Sequence, residues 1–188
     1  MATKIYIDQG HNPMNPNAGA EGNGLREQDI VYRIGVELAE SLESNSNIEV
    51  KLSRPDPTTQ IGTSNTTSLR ARVDDANLWG ADYFISLHTN ASDIASASGS
   101  EAFAYARNTP AFMLGENILY WLNQITGLQN RGMKVRPSLY VLKKTKMPAV
   151  LVELGFISNY YDAMLMSTQP ELFAQGVYYG ILDYLGLL

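Results

Sequence analysis

Three short apolar runs, none longer than a β-strand, each hand the chain to a polar residue of a kind that does chemistry. Ile5-Tyr6-Ile7 leads through Asp8-Gln9-Gly10 to His11 and Asn12; Tyr83-Phe84-Ile85-Ser86-Leu87 leads to His88, Thr89 and Asn90; Ala149-Val150-Leu151-Val152 leads to Glu153. Runs of this length, bounded by glycine and polar residues and separated by segments with helical apolar spacing, read as buried strands alternating with helices. That alternation predicts an α/β fold: a mostly parallel twisted sheet of about six strands with helices on both faces. In such sheets ligands gather just outside the carboxyl ends of the strands, so His11, His88 and Glu153 are expected to converge there.

The expected elements follow in order. Residues 3 to 8 form a strand, and residues 9 to 24, rich in Gly, Asn and Pro, form a loop too long to be a mere connection. A helix runs from about Arg26 to Ser44, with Ile30, Val31, Ile34, Leu38 and Leu42 on one stripe. A strand near Ile48 to Ser53, a polar loop through Asp56, a helix from Ser68 to about Trp79 and the strand ending at His88 come next. Residues 91 to 100 are small and flexible enough for a mobile rim. Glu101 to Ala106 alternates like a strand, and Thr109-Pro110 opens a helix to about Thr126 with proline at its first position. Leu139 to Leu142 and Ala149 to Val152 read as two more strands, and one last helix places Leu172, Val177, Ile181 and Leu185 inward. No repeat or linker interrupts residues 1 to 188, which read as one domain.

Composition removes several function classes. At 188 residues and 45% hydrophobic content the chain can bury one sizeable core. Its apolar runs are far too short to span a bilayer. A net charge of −5, with only the short Lys143-Lys144-Thr145-Lys146 patch against it, argues against a nucleic-acid partner. Cysteine is absent, which excludes disulfides and thiolate nucleophiles. Met1-Ala2-Thr3-Lys4 runs straight into the first strand with no room for a signal peptide in this sequence, so the expectation is either a signal removed beforehand or another route out of the cell, such as host-cell or phage lysis.

The chain has only two histidines. Each stands just past an apolar run, with an asparagine directly after it or one residue on, and packing alone gives no reason for that coincidence. Two imidazoles and a carboxylate form a donor set suited to one zinc ion, with a fourth position left for water. Glu27 reads, from the residues, as a carboxylate in the first turn of a helix, where the dipole favours it. Asp8 and Ser86 are candidates to receive the second ring N–H of a ligating histidine. Asn12 and Asn90 are candidates to hold peptide groups of a substrate, or turn residues. Arg54, Arg70 and Arg72 read as structural ion pairs, or as partners for acidic groups of a peptide.

Read together, these segments resemble a known family. Gly10-His11, Gly19-Ala20 and Glu27; Leu52-Ser53-Arg54 with Asp56; Leu69-Arg70-Ala71-Arg72 with Ala76-Asn77; Ser86-Leu87-His88-Thr89-Asn90; Arg131-Gly132-Met133-Lys134; and Met147 to Asn159 are similar, in order, to the zinc-dependent N-acetylmuramoyl-L-alanine amidases of the amidase-3 type. The resemblance implies that His11, Glu27 and His88 hold the zinc and that Glu153 is the catalytic acid and base. It implies hydrolysis of the amide between N-acetylmuramic acid and the L-alanine of the peptidoglycan stem peptide, at the bacterial cell wall, in an autolysin, sporulation enzyme or endolysin. Many relatives carry further glycines after the Gly-His pair, where this chain has Asn12-Pro13-Met14-Asn15-Pro16-Asn17-Ala18, a change in the loop and not in the ligands. Many also carry a cell-wall-binding module, expected here to be separate or outside this sequence. Three other readings stand beside the amidase: a zinc peptidase acting within the stem peptide, a non-catalytic zinc-containing cell-wall-binding module, and a metal-free glycosidase using Glu27 and Glu153.

Overall fold

The computed structural model describes residues 2–188. Its large sheet contains β1 (Thr3–Gln9), β4 (Ile48–Leu52), β5 (Tyr83–Asn90), β6 (Ser100–Ala104), β7 (Asn130–Val135) and β8 (Ala149–Phe156), in the order β4-β1-β5-β8-β6-β7. Pairing is parallel from β4 through β1 and β5 to β8, antiparallel between β8 and β6, and parallel again between β6 and β7. The helices are α1 (Glu27–Glu43), α2 (Asn65–Trp79), α3 (Pro110–Thr126), α4 (Tyr140–Lys144), α5 (Tyr160–Thr168) and α6 (Pro170–Leu185). The expected six-stranded, mostly parallel α/β architecture is thus the one observed.

Strand alternation sorts the side chains. Ile5, Ile7, Ile85, Leu87, Val150 and Val152 point into a core shared with α1, α3 and α6. Tyr6, Phe84 and Leu151 point to the opposite face, which α2 and α4 cover. Tyr6 and Phe84 stack there with ring centroids 5.4 Å apart. By the same period of two, Asp8, Ser86, His88 and Glu153 fall on the face of α2 and α4.

Local chemistry accounts for the helix ends. Ser64 and Thr67 form a reciprocal capping box at α2, and Thr109 caps α3 ahead of Pro110. The long loop after β1 contains a two-stranded hairpin, β2 (Glu21–Gly22) and β3 (Leu25–Arg26). Its turn, Asn23-Gly24, has φ of 52° and 75°, the left-handed pair that a tight hairpin requires.

Three expectations about elements change. Leu139 to Leu142 is not a strand: the segment turns into α4, burying Val141 and Leu142, because a four-residue apolar run carries too little periodicity to separate the two states. The sixth strand is instead β7, a largely exposed edge bearing Arg131 and Lys134, whose polarity hid it. The expected last helix is α6, preceded by a helix the sequence reading lacked, α5, and in α6 Phe173 is buried where Leu172 was expected to be. Among the described residues no helix is long and apolar enough to cross a membrane.

Helices α3 and α6 meet through Gly180, where an added Cβ would collide with the backbone of Ile118. Gly180→Ala should therefore destabilise the protein by about 1–3 kcal/mol as overpacking, despite alanine's better helix propensity. Chemical denaturation would measure it, and an unchanged or raised stability would show that the helices separate without cost.

Candidate metal centre and active site

Gly10 carries the chain off β1 and across the end of β5, donating its N–H to Leu87 O at 3.0 Å. A Cβ at this position would lie 2.5 Å from His88 Cε1 and 2.7 Å from Leu87 O, so only glycine lets the two segments meet. His11 follows with φ of 66°, which swings its ring back toward His88. The two imidazoles stand edge to face, 4.9 Å between centroids.

Glu27, the first residue of α1, reaches the same point from the other side of the loop. Its Oε1 lies 3.0 Å from His88 Nδ1 and 3.2 Å from His11 Nε2, and accepts the Thr89 N–H at 3.0 Å. Its Oε2 accepts the Ala20 N–H at 2.9 Å. Gly19 makes this wrap possible, since a Cβ there would come within 2.8 Å of the glutamate. Burial pushes the Glu27 carboxyl up, but the two imidazoles outweigh burial and hold it well below the usual carboxylate range. His88 is raised: burial opposes its charge, and Glu27 more than compensates.

The ligand atoms of His11, Glu27 and His88 all lie within 4.8 Å of one another, a possible metal site among the described residues. Two imidazole nitrogens and a carboxylate oxygen facing one point are a donor set that a divalent cation satisfies.

Glu153 sits opposite His88 in the parallel β5–β8 ladder and opposite Glu101 in the antiparallel β8–β6 ladder. It is half-buried, and its Oε2 is a buried atom with no hydrogen-bond partner. Burial, against the attraction of His88 and with the repulsion of Glu27 and Glu101, pushes its carboxyl up to about 7. Beside the imidazoles an apolar cavity of about 120 Å³ opens between β8, α2 and α4, lined by Leu69, Leu139, Val141 and Leu151.

The remaining expected residues divide. Asn12 is fully buried and its amide is spent: Nδ2 donates to Pro16 O and Ile61 O, and Oδ1 accepts from Ile61 N and Arg72 Nη2. Asn90 is half-buried, with Oδ1 accepting from Ala91 N and Nδ2 donating to Glu101 Oε1 at 3.0 Å. Asp8 and Ser86 bond to each other at 2.8 Å, and Asp8 pairs with Arg72, so neither receives a histidine N–H. Arg70 makes only an exposed pair with Asp74, whereas Arg54 and Arg72 are both fully buried, Arg54 donating to Gln28 O and Pro57 O and Arg72 lying against β1. Residues 91 to 100 are tied to the end of β8 and to α5 through Ser92 N to Ser158 Oγ, Asn159 Nδ2 to Ala95 O and Ser98 Oγ to Asp162 Oδ1.

Sequence reasoning missed Glu101. It is buried beside Glu153 and accepts from Asn90, from Arg131 Nε at 3.1 Å and from Lys134 Nζ at 2.5 Å. The one available signal was a glutamate leading the apolar stretch Ala102-Phe103-Ala104, with no basic partner near it in sequence.

Residues 5–183 match the Amidase_3 family, described as N-acetylmuramoyl-L-alanine amidase. The chain belongs to that amidase family. It is 35% identical over 166 residues to the N-acetylmuramoyl-L-alanine amidase CwlM of Bacillus licheniformis, covering 85% of this chain and 59% of the relative. It is 33% identical over 167 residues to a sporulation-specific N-acetylmuramoyl-L-alanine amidase of Bacillus subtilis, covering 88% of this chain and 60% of the relative. This amidase-family chain therefore spans about 60% of the length of these two relatives. Among solved structures, the N-acetylmuramoyl-L-alanine amidase of Clostridium difficile 630 superposes with a TM-score of 0.87 at 28% identity, covering 98% of this chain and 97% of that one.

The environment of Glu153 generates a pH prediction. In the metal-free protein its carboxyl should be protonated below about pH 7 and ionised above it. A ¹³C-carboxyl titration, with Glu153→Gln identifying the signal, would read it. A midpoint at the ordinary 4.5 would show that the site solvates this group after all.

Proposed function

We propose that this chain is a zinc-dependent amidase that cleaves the bond between N-acetylmuramic acid and L-alanine in peptidoglycan, acting at the bacterial cell wall. The observation that carries the reading is the pairing of a His11–Glu27–His88 donor set with a carboxylate, Glu153, set across the ladder from His88 with a buried, unpartnered oxygen. The family to which the chain belongs and the names of its relatives supply the substrate class.

An amide carbonyl is a poor electrophile and water a poor nucleophile, so a hydrolase must improve both. When bound by His11, Glu27 and His88, zinc supplies Lewis acidity that polarises the carbonyl oxygen and acidifies water. Glu27 remains anionic between the imidazoles, which keeps it a ligand and not a proton carrier. Glu153 takes the proton of the attacking water at its free Oε2 and hands it to the departing amine of L-alanine. A carboxyl poised near 7 suits both transfers at neutral pH. Asn90, half-buried and with only one bond at each amide atom, is the amide that meets substrate, since Asn12 is fully buried with its amide bonded twice over to Pro16, Ile61 and Arg72.

Two outcomes check this. Glu153→Gln should keep zinc and fold while losing about 10²–10⁴-fold in turnover, because an amide cannot accept the proton. Glu27→Gln should instead lose zinc, as metal content would show. A Glu153 variant that sheds zinc or keeps most of its activity would reverse the two roles.

Mass spectrometry of purified peptidoglycan after digestion settles the bond. New amino groups on L-alanine, abolished by chelation and restored by zinc, are expected. New amino groups elsewhere in the stem peptide would make the protein a peptidase, new reducing ends a glycosidase, and no release at all a binding module.

A further inference from the structure

We propose that Arg72 is a positioning residue for the metal ligand His11, acting through the ligand's backbone. The inference rests on the metal reading above and goes beyond it.

The guanidinium of Arg72, carried on α2, is fully buried at the end of β1. Its Nη1 donates to Asp8 Oδ1 at 2.6 Å, to Gln9 O at 2.7 Å and to Ser53 Oγ at 3.2 Å. Its Nη2 donates to His11 O at 2.5 Å and to Asn12 Oδ1 at 3.2 Å. All of these acceptors except Ser53 Oγ belong to residues 8–12, so one planar group grips the whole segment that leads from the strand into the ligand.

That segment needs a grip. His11 is held at φ of 66°, a left-handed backbone that side chains other than glycine rarely adopt. A ligating imidazole is usually oriented by a hydrogen bond from its second ring nitrogen to a carboxylate or carbonyl. The second nitrogen of His11, Nδ1, is buried and has no partner. Its ring direction must therefore come from the backbone, and Arg72 is the side chain bonded to the His11 carbonyl. A buried ion pair such as Asp8–Arg72 is also a poor source of stability in itself, so fixing one geometry is the better account of it. Lysine cannot replace it, because three N–H groups on one nitrogen do not span the fork that separates Gln9 O from His11 O.

The test is zinc affinity, measured by chelator competition with zinc alone. Arg72→Lys should fold with native circular dichroism and bind zinc about 10–100-fold more weakly, the usual cost of losing an orienting partner. Gly180→Ala, destabilised far from the site, serves as the control and should bind zinc as the parent does. If Arg72→Lys folds and binds as tightly as the parent, Arg72 is merely structural and the inference fails. If Arg72→Lys does not fold, the parent protein answers: by linkage, a clamp that favours metal binding must itself be tightened by the metal. Exchange of the Arg72 Nη protons should then slow when zinc is added, and an unchanged rate would overturn the proposal. A parent protein that binds no zinc would instead sink the metal reading itself.

Discussion

The site depends on the shared register of three parallel strands. Gln9 pairs with Leu87, Leu87 with Val152 and His88 with Glu153, so chain segments far apart in sequence end level with one another. Because side chains alternate, a slip of one residue in β5 would send His88 into the apolar core and Leu87 into the site. The core enforces the register: Ile85, Leu87, Val150 and Val152 are fully buried on the face opposite the polar groups. Packing on one side of the sheet thereby aims chemistry on the other. Gly10 completes the arrangement, since the loop that carries His11 can cross the end of β5 only where no Cβ stands in the way.

On that polar face, environment divides labour between two glutamates. Glu27 is more deeply buried than Glu153, yet its carboxyl is driven down, because two imidazoles and two backbone N–H groups point at it. Glu153 is driven up, first by burial, with no hydrogen-bond donor reaching its buried oxygen, and then by the carboxylates of Glu27 and Glu101, against the attraction of His88. Two like groups pushed apart in this way are suited to different tasks, one to holding charge and the other to exchanging a proton. Burial pushes the Glu101 carboxyl up, but Lys134 and Arg131 from the edge strand outweigh it and hold the group below its ordinary range, which gives β7 a part in the site although it contributes little to the core.

What was legible in the sequence follows from how local each cause is. His11 and His88 could be placed because strand length and alternation are local, and a chain with two histidines leaves few combinations. Glu27 could be placed on a helix but not in the site, since its approach depends on the β2–β3 hairpin folding the loop back, a tertiary event; only the family resemblance brought it in. Glu101 was invisible because its partners lie on β7, and a charged edge strand with Gly132 at φ of 81° has no apolar alternation to read. The two readings of Asn12 could not be separated for a related reason: next to a histidine in sequence, it turns inward to a separate segment at Ile61. The α4 segment failed on length alone, being too short to show a period.

The loop after β1 is ordered by causes of the same local kind. Glycines give a loop the freedom to take left-handed turns, but leave it to be ordered by something else. Here Asn17 takes the left-handed conformation at φ of 71°, which asparagine tolerates, and its side chain bonds Ser68 Oγ on α2 at 3.0 Å. Asn12 N–H closes the turn onto Asn17 O at 2.8 Å, while the Asn12 amide holds Pro16 and Ile61. Gln60 reaches Met14 O from the neighbouring segment. Side-chain hydrogen bonds to α2 and to residues 60–61 thus impose the order that glycine cannot, and they tie the loop to the helix that carries Arg72. The asparagines and prolines of this loop leave His11 and Glu27 facing His88 because they anchor the loop to the same scaffold that bonds the His11 carbonyl.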